Sequence, residues 1–109
     1  MSGNSEYGAL TEAVYYILLS LHKPMHGYGI MQNVKDLTGG RMSLGAGTLY
    51  GAINTLLQKE WIEPTDSDEK SRKKEYVITD LGQQAVDAEI QRLREMLKNG
   101  EEITGGRKK

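Results

Sequence analysis

Residues 47–82, reading GTLYGAINTLLQKEWIEPTDSDEKSRKKEYVITDLG, constrain this chain more than any other stretch. Leu49, Ile53, Leu56 and Leu57 recur at three- and four-residue steps, which predicts a helix from about residues 45–47 to about residue 59 with one buried stripe. The opposite face carries Gly47, Thr48, Gly51, Asn54, Thr55 and Gln58, with Tyr50 at the edge of the stripe. A solvent face is usually rich in Glu and Lys, and this one has neither before Lys59. Trp61 and Ile62 then open one strand of a short hairpin, Tyr76, Val77 and Ile78 belong to the other, and the polar run 66–71 forms its tip. Alternation sets Lys74, Tyr76 and Ile78 on one face of the hairpin and Lys73, Glu75 and Val77 on the other. Thr79 reads as the N-cap of a further helix, with Asp80 placed favourably against its dipole.

The rest of the chain has to fit that helix, hairpin and helix. Residues up to Tyr7 show no periodicity and read as a flexible lead-in. Leu10, Ala13, Val14, Ile17, Leu18 and Leu21 make one continuous apolar face, so a first helix is expected over residues 10–21; Tyr15, Tyr16 and Leu19 widen its stripe. Pro24 stops it, and residues 26–38 form a second helix with Ile30, Val34 and Leu37 inward and Gly39-Gly40 as the break. His22 and His26 stand four apart, but Pro24 between them spoils the helical register that a metal pair needs. The last helix carries Leu81, Ala85, Val86, Ile90, Leu93 and Leu97, the final four spaced like a coiled-coil seam. Gly100 is expected to end it and residues 101–109 to form a disordered tail. About two heptads are too short to stand alone, so this helix must pack on its own domain, another subunit, or both.

At 109 residues the chain fits one domain with a modest core, which leaves room for stabilisation by a second subunit. With no cysteine there is neither a disulfide framework nor a thiolate site, and no apolar run suggests a leader or a membrane span. A soluble cytoplasmic protein is the expectation. The net charge of −1 weighs mildly against nucleic-acid binding, yet Lys70, Arg72, Lys73 and Lys74 concentrate four positive charges on the hairpin, directly after Asp66, Asp68 and Glu69.

A helix with a small polar face can enter a major groove while a basic hairpin beside it holds phosphates, which is the winged helix-turn-helix mode of gripping double-stranded DNA. On that reading Thr48 and Asn54 contact base edges or phosphates, Tyr50 and Gly51 shape the approach, and Lys70, Arg72, Lys73 and Lys74 engage the backbone. Catalysis has little support. Gly27-Tyr28-Gly29 and Gly45-Ala46-Gly47 do not complete a phosphate-binding fingerprint and are better read as flexibility where helices begin. There is also no nucleophile motif, and no cofactor or metal is expected. The alternative is a winged-helix module that binds protein and not DNA, which the net charge would suit.

Four segments carry a resemblance to the PadR-like transcriptional regulators, in particular their short members with a single C-terminal dimerisation helix. They are His26-Gly27-Tyr28-Gly29-Ile30, Gly47-Thr48-Leu49-Tyr50, Trp61-Ile62, and Lys74-Glu75-Tyr76-Val77-Ile78-Thr79-Asp80-Leu81-Gly82. The resemblance implies a mainly α fold with a small β-hairpin: a winged helix-turn-helix over residues 8–79 and a dimerisation helix over residues 80–100. It further implies a homodimeric repressor of a pseudo-palindromic operator, with Tyr28 joining the DNA-binding candidates and Val86, Ile90, Leu93 and Leu97 forming the dimer interface. Some relatives release DNA when a small molecule binds; if this chain has such an effector, it is expected at the dimer interface between the first and fourth helices, against Tyr15, Tyr16, Leu93, Met96 and Leu97. Two departures stand out. Gly51 occupies a position where the family commonly has Pro, and no aromatic residue follows Asp80, so stacking of a flat ligand on the last helix is in doubt.

Overall fold

The computed structural model describes residues 8–65 and 74–105. Four helices and three short strands follow in the order α1 (Glu12–Ser20), β1 (Met25–His26), α2 (Gly27–Leu37), α3 (Ala46–Gln58), β2 (Ile62–Pro64), β3 (Glu75–Ile78) and α4 (Asp80–Thr104). Local chemistry sets most of these boundaries. The hydroxyl of Thr11 accepts the Val14 amide at 3.1 Å and starts α1, and Leu21 closes it with its amide on the carbonyls of Ile17 and Leu18. His26 caps α2 by accepting the Gly29 amide on Nδ1 at 3.2 Å, so this histidine has a structural task that its spacing from His22 did not reveal. Gly39 and Gly40 take positive φ values of 61° and 85° and turn the chain out of α2.

The sheet has one strand more than the expected hairpin. β1 pairs antiparallel with β3 (Met25 opposite Tyr76, His26 opposite Glu75), and β3 pairs with β2, giving the order β1-β3-β2. The Ile78 amide also reaches the Leu21 carbonyl at 2.8 Å, which ties the inner strand to the end of α1. Ile17, Leu18, Leu21, Ile30, Val34, Leu49, Ile53, Leu56, Ile62, Ala85 and Val86 form the core between helices and sheet, closed by Trp61 and Tyr76. Within it Ser20 donates to the Tyr16 carbonyl and accepts from Asn33 Nδ2, both at 2.9 Å, so the buried hydroxyl links α1 to α2 with its hydrogen bonds satisfied.

Helix α4 corrects two expectations. It passes through Gly100 to Thr104, so residues 101–104 are helical and not a tail. A glycine costs a helix interior only about 1 kcal/mol relative to alanine. Here Lys98 pairs with Glu102 at 3.1 Å across Gly100, and Thr104 donates to the Gly100 carbonyl at 2.8 Å. Val86, expected in a subunit interface, is 1% exposed in the core of its own chain, because the first two turns of α4 close the domain.

At the start of α4, a Cβ added to Gly82 would stand 2.1 Å from the Trp61 carbonyl oxygen and 2.8 Å from Ile78 Cγ1. The obstacle is backbone and cannot swing aside. Gly82→Ala is therefore expected to destabilise the chain by about 1–3 kcal/mol, as overpacking does elsewhere, read as a lower midpoint of urea unfolding with an unchanged slope.

Candidate nucleic-acid interface

Helix α3 buries Leu49, Ile53 and Leu56 and exposes Gly47, Thr48, Tyr50, Gly51, Asn54, Thr55 and Gln58. The 3.6-residue period that fills the core with the first set presents the second on one outer surface. No acidic or basic side chain interrupts that surface before Lys59, which turns back to lay its ammonium 5.0 Å from the centre of the Trp61 ring. Among the described residues nothing lies within 4 Å of a Cβ added to Gly45, Gly47 or Gly51. The packing of this chain thus does not demand glycine at any of the three; what they leave is bare backbone that a rigid partner can approach closely. Gly45 is the N-cap of α3 and supplies no side-chain acceptor, and the first turn has no acidic residue. The amides there consequently point outward with the positive end of the helix dipole, an arrangement that suits an oxyanion such as a phosphate.

Tyr28 is exposed in the first turn of α2, and the Tyr50 hydroxyl comes up against Gly27 at the start of the same helix. Thr48, Tyr50, Gly51 and Asn54 therefore share the open face of α3, and Tyr28 belongs to the helix end beside it. On the hairpin, Lys74 is exposed just ahead of β3. Lys70, Arg72 and Lys73 lie outside the described residues.

A second feature sits between α1 and α4. Leu10, Glu12, Tyr15, Tyr16, Glu89, Arg92 and Leu93 line a groove of about 300 Å³. The two tyrosine rings meet edge to face, with centroids 5.6 Å apart. Three of the residues expected around an effector are thus together, while Met96 and Leu97 lie further along α4, outside this lining. Sequence periodicity did not reveal Glu89, which is 4% exposed on the inner side of α4. It accepts Arg92 Nε at 3.0 Å, Arg92 Nη2 at 2.6 Å and the Leu10 amide at 3.2 Å. The Arg92 guanidinium holds the Glu89 carboxyl below its ordinary range, against burial, and the Leu10 amide acts in the same direction. Glu12, at the rim, pairs with Arg41 from the turn after α2.

Beyond Ile90, which packs against the core, Leu93, Met96, Leu97 and Ile103 are exposed along one stripe of α4, with Ile103 at 80%. Among the described residues no group of His, Asp and Glu side chains could hold a metal ion, and no helix is long and apolar enough to cross a membrane.

Comparison with known proteins places this geometry. Residues 16–88 match the transcriptional regulator PadR-like family. A PadR family transcription regulator from Clostridium difficile has a similar structure, with a TM-score of 0.72 at 24% identity, covering 85% of this chain and 98% of that one. A PadR-like transcription factor from Bacteroides fragilis gives 0.68 at 24% identity, over 83% of this chain and 87% of that one. RosR of H. salinarum gives 0.61 at 26% identity, over 83% and 76%. In sequence, an uncharacterised 37.1 kDa protein of transposon TN4556 from Streptomyces fradiae is 35% identical over 66 residues, which are 61% of this chain and 18% of that protein's length.

The buried carboxylate sets a pH dependence. Because the folded-state pKa of Glu89 is lowered, its stabilising contribution is complete above the ordinary carboxylate range and is lost as pH falls through the lower folded value. Urea midpoints measured from about pH 6 down to about pH 3 should therefore fall more steeply for the unaltered chain than for Glu89→Gln, which has no such proton to take up. Parallel curves for the two proteins would remove Glu89 from the acid response.

Proposed function

Since the chain belongs to the PadR-like family of transcriptional regulators, we propose that it is a sequence-specific double-stranded DNA-binding protein that acts as a homodimeric repressor of a pseudo-palindromic operator. The observation that carries this reading is the face of α3. It is exposed, uncharged and glycine-bearing, yet among the described residues no packing contact requires Gly47, Gly51 or the N-cap Gly45, while its Thr, Asn and Gln side chains suit base edges and phosphates. Lys74 and the basic run before it supply the phosphate contacts of the wing.

The exposed stripe of Leu93, Met96, Leu97 and Ile103 is the surface through which two copies pair, with Ile90 at its inner end. A two-fold dimer matches a near-palindrome, with half-sites spaced by about one helical turn, roughly 10 bp, or a small multiple of it. The α1–α4 groove lies beside this stripe, and a small apolar effector seated against Tyr15, Tyr16 and Leu93 would bias the separation of the two recognition helices.

The deciding experiment is selection of bound duplexes from a random pool, followed by titration of the best site at several salt concentrations. Counterion release makes DNA affinity fall steeply with salt. A chain that selects no duplex, or whose only partner is a protein held equally well at all salt concentrations, would be the interaction module and not the repressor.

Two substitutions test the parts. Asn54→Ala should cost about 1–3 kcal/mol of operator affinity and relax preference at one position of each half-site; an equal loss on every sequence would assign Asn54 to a phosphate. Leu93→Asp should yield a monomer in sedimentation and lose operator binding with it. A monomeric variant that still binds tightly would uncouple pairing from recognition.

A further inference from the structure

Gly27 is the first residue of α2, buried, with an ordinary backbone conformation that alanine adopts more readily in a helix. Nothing in its backbone asks for glycine. What excludes a side chain is Tyr50: a Cβ at Gly27 would stand 2.1 Å from the Tyr50 hydroxyl oxygen, 2.7 Å from Cζ and 3.2 Å from Cε1. The ring of a residue on α3 thus lies over the beginning of α2, in a notch that exists because Gly27 has no Cβ. Tyr50 as a whole remains 46% exposed, on the proposed DNA-binding face.

The notch is itself held firmly. His26, immediately before Gly27, is paired with Glu75 in the sheet and caps α2 with its side chain. A ring seated there is referred to β3, the inner strand of the wing, through two consecutive residues. The obstacle to a side chain at Gly27 also differs in kind from the one at Gly82. At Gly82 a methyl group would meet fixed backbone, whereas at Gly27 it would meet the end of a side chain that can rotate about two torsions. A methyl at Gly27 would therefore move Tyr50 and leave the core alone.

We propose that Gly27 is a positioning residue for DNA recognition: it seats Tyr50 across the start of α2 and so fixes where that ring stands on the exposed face of α3. The proposal rests on the reading that α3 meets DNA. It accounts for a glycine kept at the first position of α2, since any residue with a Cβ would displace the ring.

The test compares the full-length chain with Gly27→Ala, Tyr50→Ala and the double variant. Three quantities are measured: thermal unfolding, affinity for the best selected duplex and for an unrelated one, and the aromatic resonances of Tyr50. Gly27→Ala should leave Tm equal or higher, shift the Tyr50 ring resonances, and weaken the selected duplex about tenfold with little change on the unrelated one. In the Tyr50→Ala background the same change should cost less than about twofold, because there is no ring left to displace. A purely structural role would lower Tm and weaken both duplexes together. Equal losses in the two backgrounds, or unmoved Tyr50 resonances, would overturn the proposal. Should the unaltered chain select no duplex, the DNA reading fails by itself, and the ring resonances together with the coupling of the two substitutions in Tm still decide whether Gly27 seats Tyr50.

Discussion

Helix α4 comes so near the carbonyl of Trp61 that Gly82 has no room for a side chain, and the junction of α3 with α4 depends on this approach. Thr79 makes the junction. Its amide donates to the Trp61 carbonyl at 2.9 Å, its hydroxyl donates to the Glu60 carbonyl at 2.7 Å and accepts the Gly82 amide at 3.0 Å. One threonine thereby serves groups at the end of α3 and at the beginning of α4. Glu60, the one non-glycine residue with positive φ among those described, reverses the chain at 64°. Its amide reaches Leu57 and that of Trp61 reaches Leu56, both at 3.0 Å, which ends α3 abruptly and starts β2. Helix α3 and the long helix α4 consequently share one hydrogen-bonded corner.

That corner divides α4 into two parts with different tasks. Its first part contributes Gly82, Ala85, Val86 and Glu89 to the interior of its own domain. From Leu93 onward the apolar stripe leaves the domain and runs out into solvent along a molecule whose longest dimension is 59 Å. Glu89 marks the boundary. A carboxylate at this place on the stripe would be costly alone, and it is tolerated because Arg92 and the Leu10 amide satisfy both of its oxygens. The same bonds attach the segment ahead of α1 to α4, so the groove with the two tyrosines has a charged, hydrogen-bonded wall and not merely an apolar one.

Most of this architecture is legible in the sequence where periodicity is long. The stripes Ile17–Leu18–Leu21, Leu49–Ile53–Leu56 and Ala85–Val86 each mark a helix and its buried side, and Gly39-Gly40 and Thr79 mark ends by their own chemistry. Strand β1 is two residues long, below the length at which alternation says anything, and it forms only because β3 offers an edge. The 4, 3, 4 spacing of Val86, Ile90, Leu93 and Leu97 identifies one helical face but cannot say which residues of that face the domain keeps for itself; Val86 is kept, and the stripe extends past Gly100 to Ile103. A glycine's reason is equally silent in one dimension. Gly27, Gly51 and Gly82 read alike, yet one faces a ring, one faces open space and one faces a carbonyl.

On the proposed DNA-binding function, the charge balance says which of these features would carry recognition. A chain with a net charge of −1 gains little from indiscriminate attraction to a polyanion, and the face of α3 adds no charge of its own. Affinity for a particular sequence has then to come from close approach and from hydrogen bonds that form only when the helix is correctly placed, and such bonds weaken steeply with small errors in distance and angle. In the proposed dimer that placement would be set twice: between copies by the stripe from Leu93 to Ile103, and within each copy by the corner at Thr79 and Gly82. In the proposed dimer, a ligand that altered the packing of α4 beside Tyr15 and Tyr16 would leave each α3 intact and change only the distance between the two, which a site with fixed half-site spacing cannot follow.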